Sequence, residues 1–213
     1  MSRLPFHDRE DAGQRLAQAL AAHRGRNPLV LAIPRGAVPM GRVIADALDG
    51  ELDVVLVRKI GAPHNPELAL GAIDELGSVH MNPAAAMFEL PHRYIAEEAR
   101  RQLELIQSRR RSYGVAPIAL RGRTVIVVDD GLATGATMFA ALKAARAQHP
   151  AWLVCAVPVA AAESLERVRV LADEVVCLAT PEPFLSVGQW YEEFAAVEDA
   201  EVIRLLAARA ATS

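Results

Sequence analysis

Cysteine is scarce. Only Cys155 and Cys177 occur in 213 residues, with no spacing that suits a zinc site or a disulfide framework. Each lies inside an apolar run of strand length, so both read as small buried hydrophobes. Lysine is scarcer still for a charged residue: Lys59 and Lys143 are the whole complement, and Lys143, in an Ala-rich helical stretch, reads as solvated. The formal net charge is −3 and the pI about 6.1, which argues against a general nucleic-acid or membrane binder. The start of the chain, Met1 to Asp8, has no apolar signal core, and no apolar run is long enough to span a bilayer. No internal repeat or low-complexity linker occurs. These absences leave a soluble cytoplasmic protein as the expectation, with neither nucleic acid nor membrane as a partner.

What is present is an apolar fraction of 52%, enough for a sizeable core. Strand-length apolar runs at 28–33, 52–57, 124–128, 152–157 and 174–178 alternate with helical patterns at 8–22, 38–48, 93–112, 137–149, 163–171 and 199–210. That alternation predicts an α/β fold with a doubly wound, mainly parallel sheet. Asp8 is the expected N-cap of the first helix. The segment 61–91, rich in Pro, Gly and Asn, interrupts the pattern and reads as a small flap or hood over the sheet edge. The tail 180–194 carries four of the chain's ten aromatic residues, Phe184, Trp190, Tyr191 and Phe194, and reads as part of the same cap. The organisation expected is one domain over 1–213. Its core lies at about 23–60 and 115–179, and its hood combines 61–91 with the N-terminal segment and the tail 180–213.

Ligands of open α/β sheets bind beyond the carboxyl ends of the strands. The strand end at Val128 carries two carboxylates, Asp129 and Asp130. A loop of small and hydroxyl residues follows (Ala133, Thr134, Gly135, Ala136, Thr137) and leads into a helix. Backbone N–H groups at such a helix entrance suit phosphate oxygens, and the carboxylates suit sugar hydroxyls. It is neither a Walker loop, lacking a Gly-Lys-Ser/Thr ending, nor a dinucleotide fingerprint, because its glycines are wrongly spaced. A second strand end, Ile33-Pro34-Arg35-Gly36, offers a Gly/Pro turn and one guanidinium to an anion. A third, Val57-Arg58-Lys59-Ile60-Gly61, brings two cations toward the same edge just before the flap. Arg109-Arg110-Arg111, at a helix end, reads as a solvated cap favoured by the helix dipole.

These residues resemble the type I phosphoribosyltransferases, whose signature is an apolar strand, two acids and a small/hydroxyl phosphate loop. The resemblance tightens to a bacterial branch of predicted phosphoribosyltransferases through further elements. They are Phe6-His7-Asp8-Arg9, Ile33-Pro34-Arg35-Gly36, Val57-Arg58-Lys59-Ile60-Gly61, Glu67-Leu68-Ala69-Leu70-Gly71-Ala72-Ile73, Asp130-Gly131-Leu132-Ala133-Thr134-Gly135-Ala136-Thr137, Val157-Pro158-Val159 and Val187-Gly188-Gln189-Trp190-Tyr191-Glu192-Glu193-Phe194. Two positions depart from the pattern: Gly131, where an apolar residue or serine is usual, and Ala37, where the branch has a second glycine. The resemblance implies a Rossmann variant with a hood and a PRPP-dependent pentosyltransferase. Such an enzyme moves the 5-phosphoribosyl group of phosphoribosyl pyrophosphate (PRPP) to a nucleobase or similar nitrogen heterocycle, releasing pyrophosphate.

By that resemblance the loop 133–137 holds the 5-phosphate, and Asp129 and Asp130 hold the ribose hydroxyls. Arg35 and Gly36 form the pyrophosphate loop, often through a cis peptide, and Arg58 and Lys59 meet the pyrophosphate. Asp129, Asp130, Lys59 and Arg35 are thus the catalytic set. Mg2+ is the implied cofactor, carried by the substrate's oxygens and water near the two aspartates rather than in a protein cage. Phe184 and Val187 are the candidates for the acceptor base, with Phe184 stacking; the alternative is that the tail aromatics pack onto the core. His64, in the flap, is a candidate assistant. A homodimer also follows from the resemblance alone. Two other readings stay open: a PRPP- or nucleotide-binding regulator with little catalysis, and a hydrolase or phosphorylase acting on a ribose phosphate.

Overall fold

The computed structural model describes residues 4–63, 65–82, 85 and 92–208. In chain order the first half contains α1 (Arg9–Ala19), β1 (Leu29–Ala32), α2 (Ala37–Ala47), β2 (Glu51–Val54), β3 (Val57–Ala62), β4 (Asn65–Asp74) and β5 (Val79–Met81). The second half contains α3 (His92–Tyr113), β6 (Thr124–Val128), α4 (Ala136–Ala147), β7 (Trp152–Val159), α5 (Ala162–Arg169), β8 (Glu174–Ala179) and α6 (Asp199–Ala207). Asp8 caps α1, its Oδ1 accepting the Asp11 N–H at 2.8 Å. His64 lies outside the described residues.

Five strands form one sheet in the order β2-β1-β6-β7-β8, every neighbour parallel. Side chains alternate across it. Val30, Ile126, Val128, Val154 and Ala156 pack under α1, α2 and α6, whereas Leu29, Leu31, Val125, Val127, Leu153 and Cys155 pack under α4 and α5. Both faces are covered, so the strands read as unbroken apolar runs. The chain leaves β1 toward β2 and later returns on β1's other side as β6. The order therefore reverses between β1 and β6, and a crevice opens between the loops that follow them. Burial pushes the Cys155 thiol up to about 12, consistent with an inert hydrophobe.

The strand expected at 52–57 is divided in two. β2 ends at Val54; Val55 and Leu56 turn the chain, and Val57 opens β3 of a separate antiparallel sheet, β3-β4-β5. Arg58 and Lys59 thus sit within β3, paired with Ile73 and Ala72, and not at the end of a core strand. Residues 52–57 alternate too little to reveal the break, since both sheets bury this stretch. The expected flap is correspondingly built on a hairpin, with Leu68–Ile73 on its central strand.

The arginine cluster departs from expectation too. Arg110 turns inward: its Nη1 donates to Asp53 Oδ1 at 2.7 Å, and its Nη2 donates to Glu75 Oε2 at 2.6 Å and to the Val54 carbonyl at 2.9 Å. Asp53 is a buried carboxylate on β2 and requires such a partner. Arg110 therefore ties β2 and the end of β4 to α3. Lys143 also has a ring contact, its Nζ lying 4.7 Å from the Phe139 centroid.

The segment before α1 meets the aromatic tail. The Phe6 N–H donates to the Trp190 carbonyl, and the Glu192 and Glu193 N–H groups donate to the Phe6 and His7 carbonyls, each at 2.8 Å. Phe6 stacks obliquely on Tyr191, ring centroids 5.6 Å apart. This pairing sets the aromatic tail beside the carboxyl ends of the parallel strands.

Candidate active site at the switch point

The Ile33 N–H donates to the Val128 carbonyl at 2.9 Å, joining the exits of β1 and β6. From there the two loops diverge around the crevice. After β1 the Pro34–Arg35 peptide is cis and Gly36 enters α2 with helical dihedrals. Ala37 is buried and already helical, so its Cβ creates no conflict where relatives are expected to carry glycine. After β6, Asp129 Oδ1 accepts the Asp130 N–H at 2.9 Å. Gly135 then adopts a left-handed φ of 70° at the entrance to α4, a conformation that favours glycine. Ala133, Thr134, Ala136 and Thr137 are all exposed around that turn.

Asp130 is the meeting point. Arg9 Nε donates to its Oδ2 at 3.0 Å, and the Tyr191 hydroxyl donates to its carbonyl at 2.6 Å. Gly36 abuts it so closely that a Cβ there would lie 2.3 Å from Asp130 Oδ2. Arg9 is itself held by the tail, with its guanidinium 3.8 Å from the Phe194 centroid and its Nη1 donating to the Ala195 carbonyl at 2.6 Å. Burial, reinforced by the Asp130 charge, raises the Asp129 carboxyl well above the usual carboxylate range. Burial also raises Asp130, while the Arg9 guanidinium opposes the shift. Burial and the nearby Asp130 carboxylate likewise push the Tyr191 hydroxyl up, keeping it a neutral donor.

The cations arrive from several elements. Arg58, Lys59, Thr134, Ala136 and Thr137 line one cavity of about 420 Å3 between the hairpin sheet and the loop after β6. Arg58 also lines a cavity of about 160 Å3 with Pro34, Arg109 and Thr137, which links the two loops. Arg58 Nε donates to Gln102 Oε1 at 2.5 Å, so α3 orients it. Arg35 instead faces the start of α6, 3.7 Å from Glu198 and 4.0 Å from Asp199.

The acceptor candidates separate. Val187 packs directly over Gly131, where a Cβ would meet Val187 Cγ1 at 2.7 Å. A small residue at 131 is therefore matched to the hood above it. Phe184 packs against Trp190 at 6.1 Å and borders a shallow depression with Ala161, Glu163 and Pro183, away from the cationic cavities.

In the sequence Arg9 and Tyr191 stand out only as members of longer elements, with no role at the acids, and Ser164 does not stand out at all. A signal existed for Arg9, because a cation in the first turn of a helix opposes the dipole and calls for another purpose. Ser164 carried no such signal: its Oγ donates to the Ala133 carbonyl at 2.6 Å, a contact made across 31 positions.

Fold and loops together define an α/β protein with paired acids and a left-handed glycine turn at a helix entrance beside its switch point, and with Arg58 and Lys59 lining a cavity next to that turn. The phosphoribosyl transferase domain family matches residues 5–189, and the chain belongs to it. Two Mycobacterium tuberculosis proteins, from strains CDC 1551 and H37Rv, are 43% identical over 210 residues and are provisionally described as phosphoribosyl transferases. The match covers 94% of this chain but 46% of theirs, so the chain spans about half the length of these relatives. The crystal structure of TT1426 from Thermus thermophilus is 46% identical, with a TM-score of 0.86, over 96% of this chain and 98% of that one. Among the described residues, no helix is long and apolar enough to cross a membrane.

Proposed function

We propose that the chain is a PRPP-dependent phosphoribosyltransferase acting on a nucleobase or similar nitrogen heterocycle. The observation that carries this reading is that Gly36, after β1, abuts Asp130, after β6, in the loop that runs on to the Gly135 turn and α4. The carboxylates accept the ribose hydroxyls. The N–H groups at the start of α4, with Thr134 and Thr137, receive the 5-phosphate. The loop at Pro34–Gly36 receives the pyrophosphate, with Arg35 and Arg58 supplying charge and Lys59 completing the cationic wall.

Displacement of pyrophosphate by a ring nitrogen passes through an oxocarbenium-like state, and negative charge grows on the leaving group. A preorganised donor aimed at such charge is worth roughly 2.7–4 kcal/mol. Arg35 leaves Glu198 and Asp199 to serve this role. Asp129 and Asp130 stabilise the developing positive charge on the sugar and fix its orientation.

The donor set fits Mg2+. Two hard carboxylates lie side by side, and among the described residues no group of three or more acidic, His or Cys side chains could cage a metal. The ion would therefore keep waters and substrate oxygens as ligands. When bound it neutralises diphosphate charge. The base sits toward Val187 and the tail, with Phe184 supporting the tail through Trp190. We further propose a cytoplasmic protein that forms a homodimer.

The test is turnover with Mg2+, PRPP and a panel of bases, following pyrophosphate release beside nucleotide formation. Nucleotide with stoichiometric pyrophosphate supports the reading. Pyrophosphate alone assigns a hydrolase, and tight PRPP binding without turnover across the panel assigns a regulator.

A further inference from the structure

The proposed 5-phosphate loop carries no charge of its own: residues 131–137 are Gly, Leu, Ala, Thr, Gly, Ala and Thr. A phosphate dianion held only by backbone N–H groups and hydroxyls forgoes the stronger charge-assisted bonds. The structure brings cations to this loop from elsewhere. The 420 Å3 cavity lined by Thr134, Ala136 and Thr137 is also lined by Arg58 and Lys59 of β3 and by Arg167 of α5. No carboxylate lines it among the described residues. An anion entering the cavity would therefore meet cations and no carboxylate in its lining.

Arg167 differs from its neighbours. Arg169 pairs with Glu166 at 3.0 Å and Arg146 with Asp173 at 3.0 Å, but Arg167 makes no ion pair among the described residues. The helix that carries it is built into the loop. Ser164, buried three positions earlier, donates to the Ala133 carbonyl at 2.6 Å. Gly135 also packs on α5: a Cβ there would meet Ser164 Cβ at 3.4 Å and Val168 Cγ1 at 3.8 Å. Residues three apart on a helix share a face. The face of α5 that shapes the loop is thus the one that projects Arg167 toward the cavity.

We infer that α5 is part of the donor site. Arg167 is a binding residue for the 5-phosphate, and Ser164 is a positioning residue that holds the Ala133–Gly135 turn. The inference rests on the proposed function and names the charge that its phosphate loop lacks. Lys59, assigned to the pyrophosphate, lines the same cavity from the hairpin, so the two phosphate groups of the donor meet cations on different elements.

The experiment is calorimetric titration of the whole chain with ribose 5-phosphate, and separately with inorganic pyrophosphate in the presence of Mg2+. The proteins are the wild type, Arg167→Ala, Arg167→Lys, Ser164→Ala and the double variant Asp129→Asn/Asp130→Asn. Melting curves check that each is folded. Loss of a charge-assisted contact predicts that Arg167→Ala weakens ribose 5-phosphate about tenfold or more. Arg167→Lys recovers part of the loss, pyrophosphate affinity is unchanged, and the salt dependence of ribose 5-phosphate binding becomes shallower. Ser164→Ala weakens ribose 5-phosphate without changing that salt dependence.

Undiminished affinity in folded Arg167→Ala, with affinity lost in the double aspartate variant, overturns the role of Arg167 and leaves the donor site standing. A wild type that binds no ribose 5-phosphate, or a double aspartate variant that binds it undiminished, overturns the donor-site reading and this inference with it.

Discussion

Arg9 and Asp130, 121 positions apart, form an ion pair at 3.0 Å in which the side chains keep only 12% and 16% of their exposure. The pair joins the start of α1 to the acidic loop. Through the Phe194 ring beneath Arg9 it also joins both to the tail. Asp130 therefore points where it does because three distant segments agree, and the carboxylate proposed to bind ribose is coupled to the hood.

Removing that partner has two consequences. Arg9→Ala leaves a carboxylate enclosed without its cation, and loss of one member of a buried pair costs roughly 3–5 kcal/mol. It also lifts the acid pair further above the ordinary carboxylate value, because Arg9 is the group opposing the rise at Asp130. PRPP binding by Arg9→Ala is then expected to fail at a higher pH than in the wild type as the solution is acidified. Calorimetry across a pH series checks this, with denaturant melts for the stability term. Arg9→Lys restores the charge but not the Nε geometry and falls between the two.

The same acids set a stability and activity trade-off. The folded Asp129 carboxyl titrates well above the unfolded value of about 3.9. Between those two values the folded chain binds a proton that the unfolded chain has released. Stability therefore falls as pH rises through that window and stays reduced above it. Asp129→Asn keeps an oxygen for the Asp130 N–H while removing the buried charge. It is expected to raise Tm at neutral pH, flatten the pH dependence of Tm, and abolish turnover. A Tm unchanged at neutral pH would contradict the assigned desolvation.

Much of this could be read from the sequence, because the strands of the parallel sheet are buried on both faces and announce themselves as apolar runs. Asp129, Asp130 and the loop to Thr137 were legible for a related reason: charge and small residues directly after such a run have few structural uses. The break at Val55 and Leu56 was not legible, since two sheets bury one continuous apolar stretch. Nor was the inward turn of Arg110, because the need for it lies in Asp53, 57 positions away. The role of Arg167 was hidden for the same reason, and the local signal at Arg9 named no partner. Their partners are defined by tertiary contact, which no local spacing reports.

Arg110 is expected to matter for folding rather than chemistry. It serves Asp53, Glu75 and the Val54 carbonyl at once, and burial already pushes Glu75 above its ordinary value. Arg110→Ala takes the guanidinium from buried Asp53, leaving it the Val54 and Ile118 N–H donors, with an expected loss of roughly 3–5 kcal/mol. The double variant Arg110→Met/Asp53→Asn removes both buried charges and is expected to recover a substantial part of that loss. Chemical denaturation of the three proteins checks this. A single variant as stable as the wild type would show that the cluster does not join α3 to the sheets.

Gly131 and Val187 give the sharpest test of how the hood meets the acidic loop. A methyl group at 131 would lie 2.7 Å from Val187 Cγ1 and 3.0 Å from Val159 Cγ2, closer than packed carbons approach. Gly131→Ala is therefore expected to lose about 1–3 kcal/mol as an overpacked site. Because Tyr191 of the same tail holds the Asp130 carbonyl, the displaced hood should also raise KM for both substrates. Val187→Ala alone opens space above Gly131. Combined, the two changes relieve each other, and the double variant should be more stable than the sum of the single losses by about 0.5 kcal/mol or more. Val159, fixed in β7, limits the rescue. Strict additivity in this cycle would mean that Val187 does not rest on Gly131 in solution, and the proposed placement of the acceptor beneath the hood would lose its support.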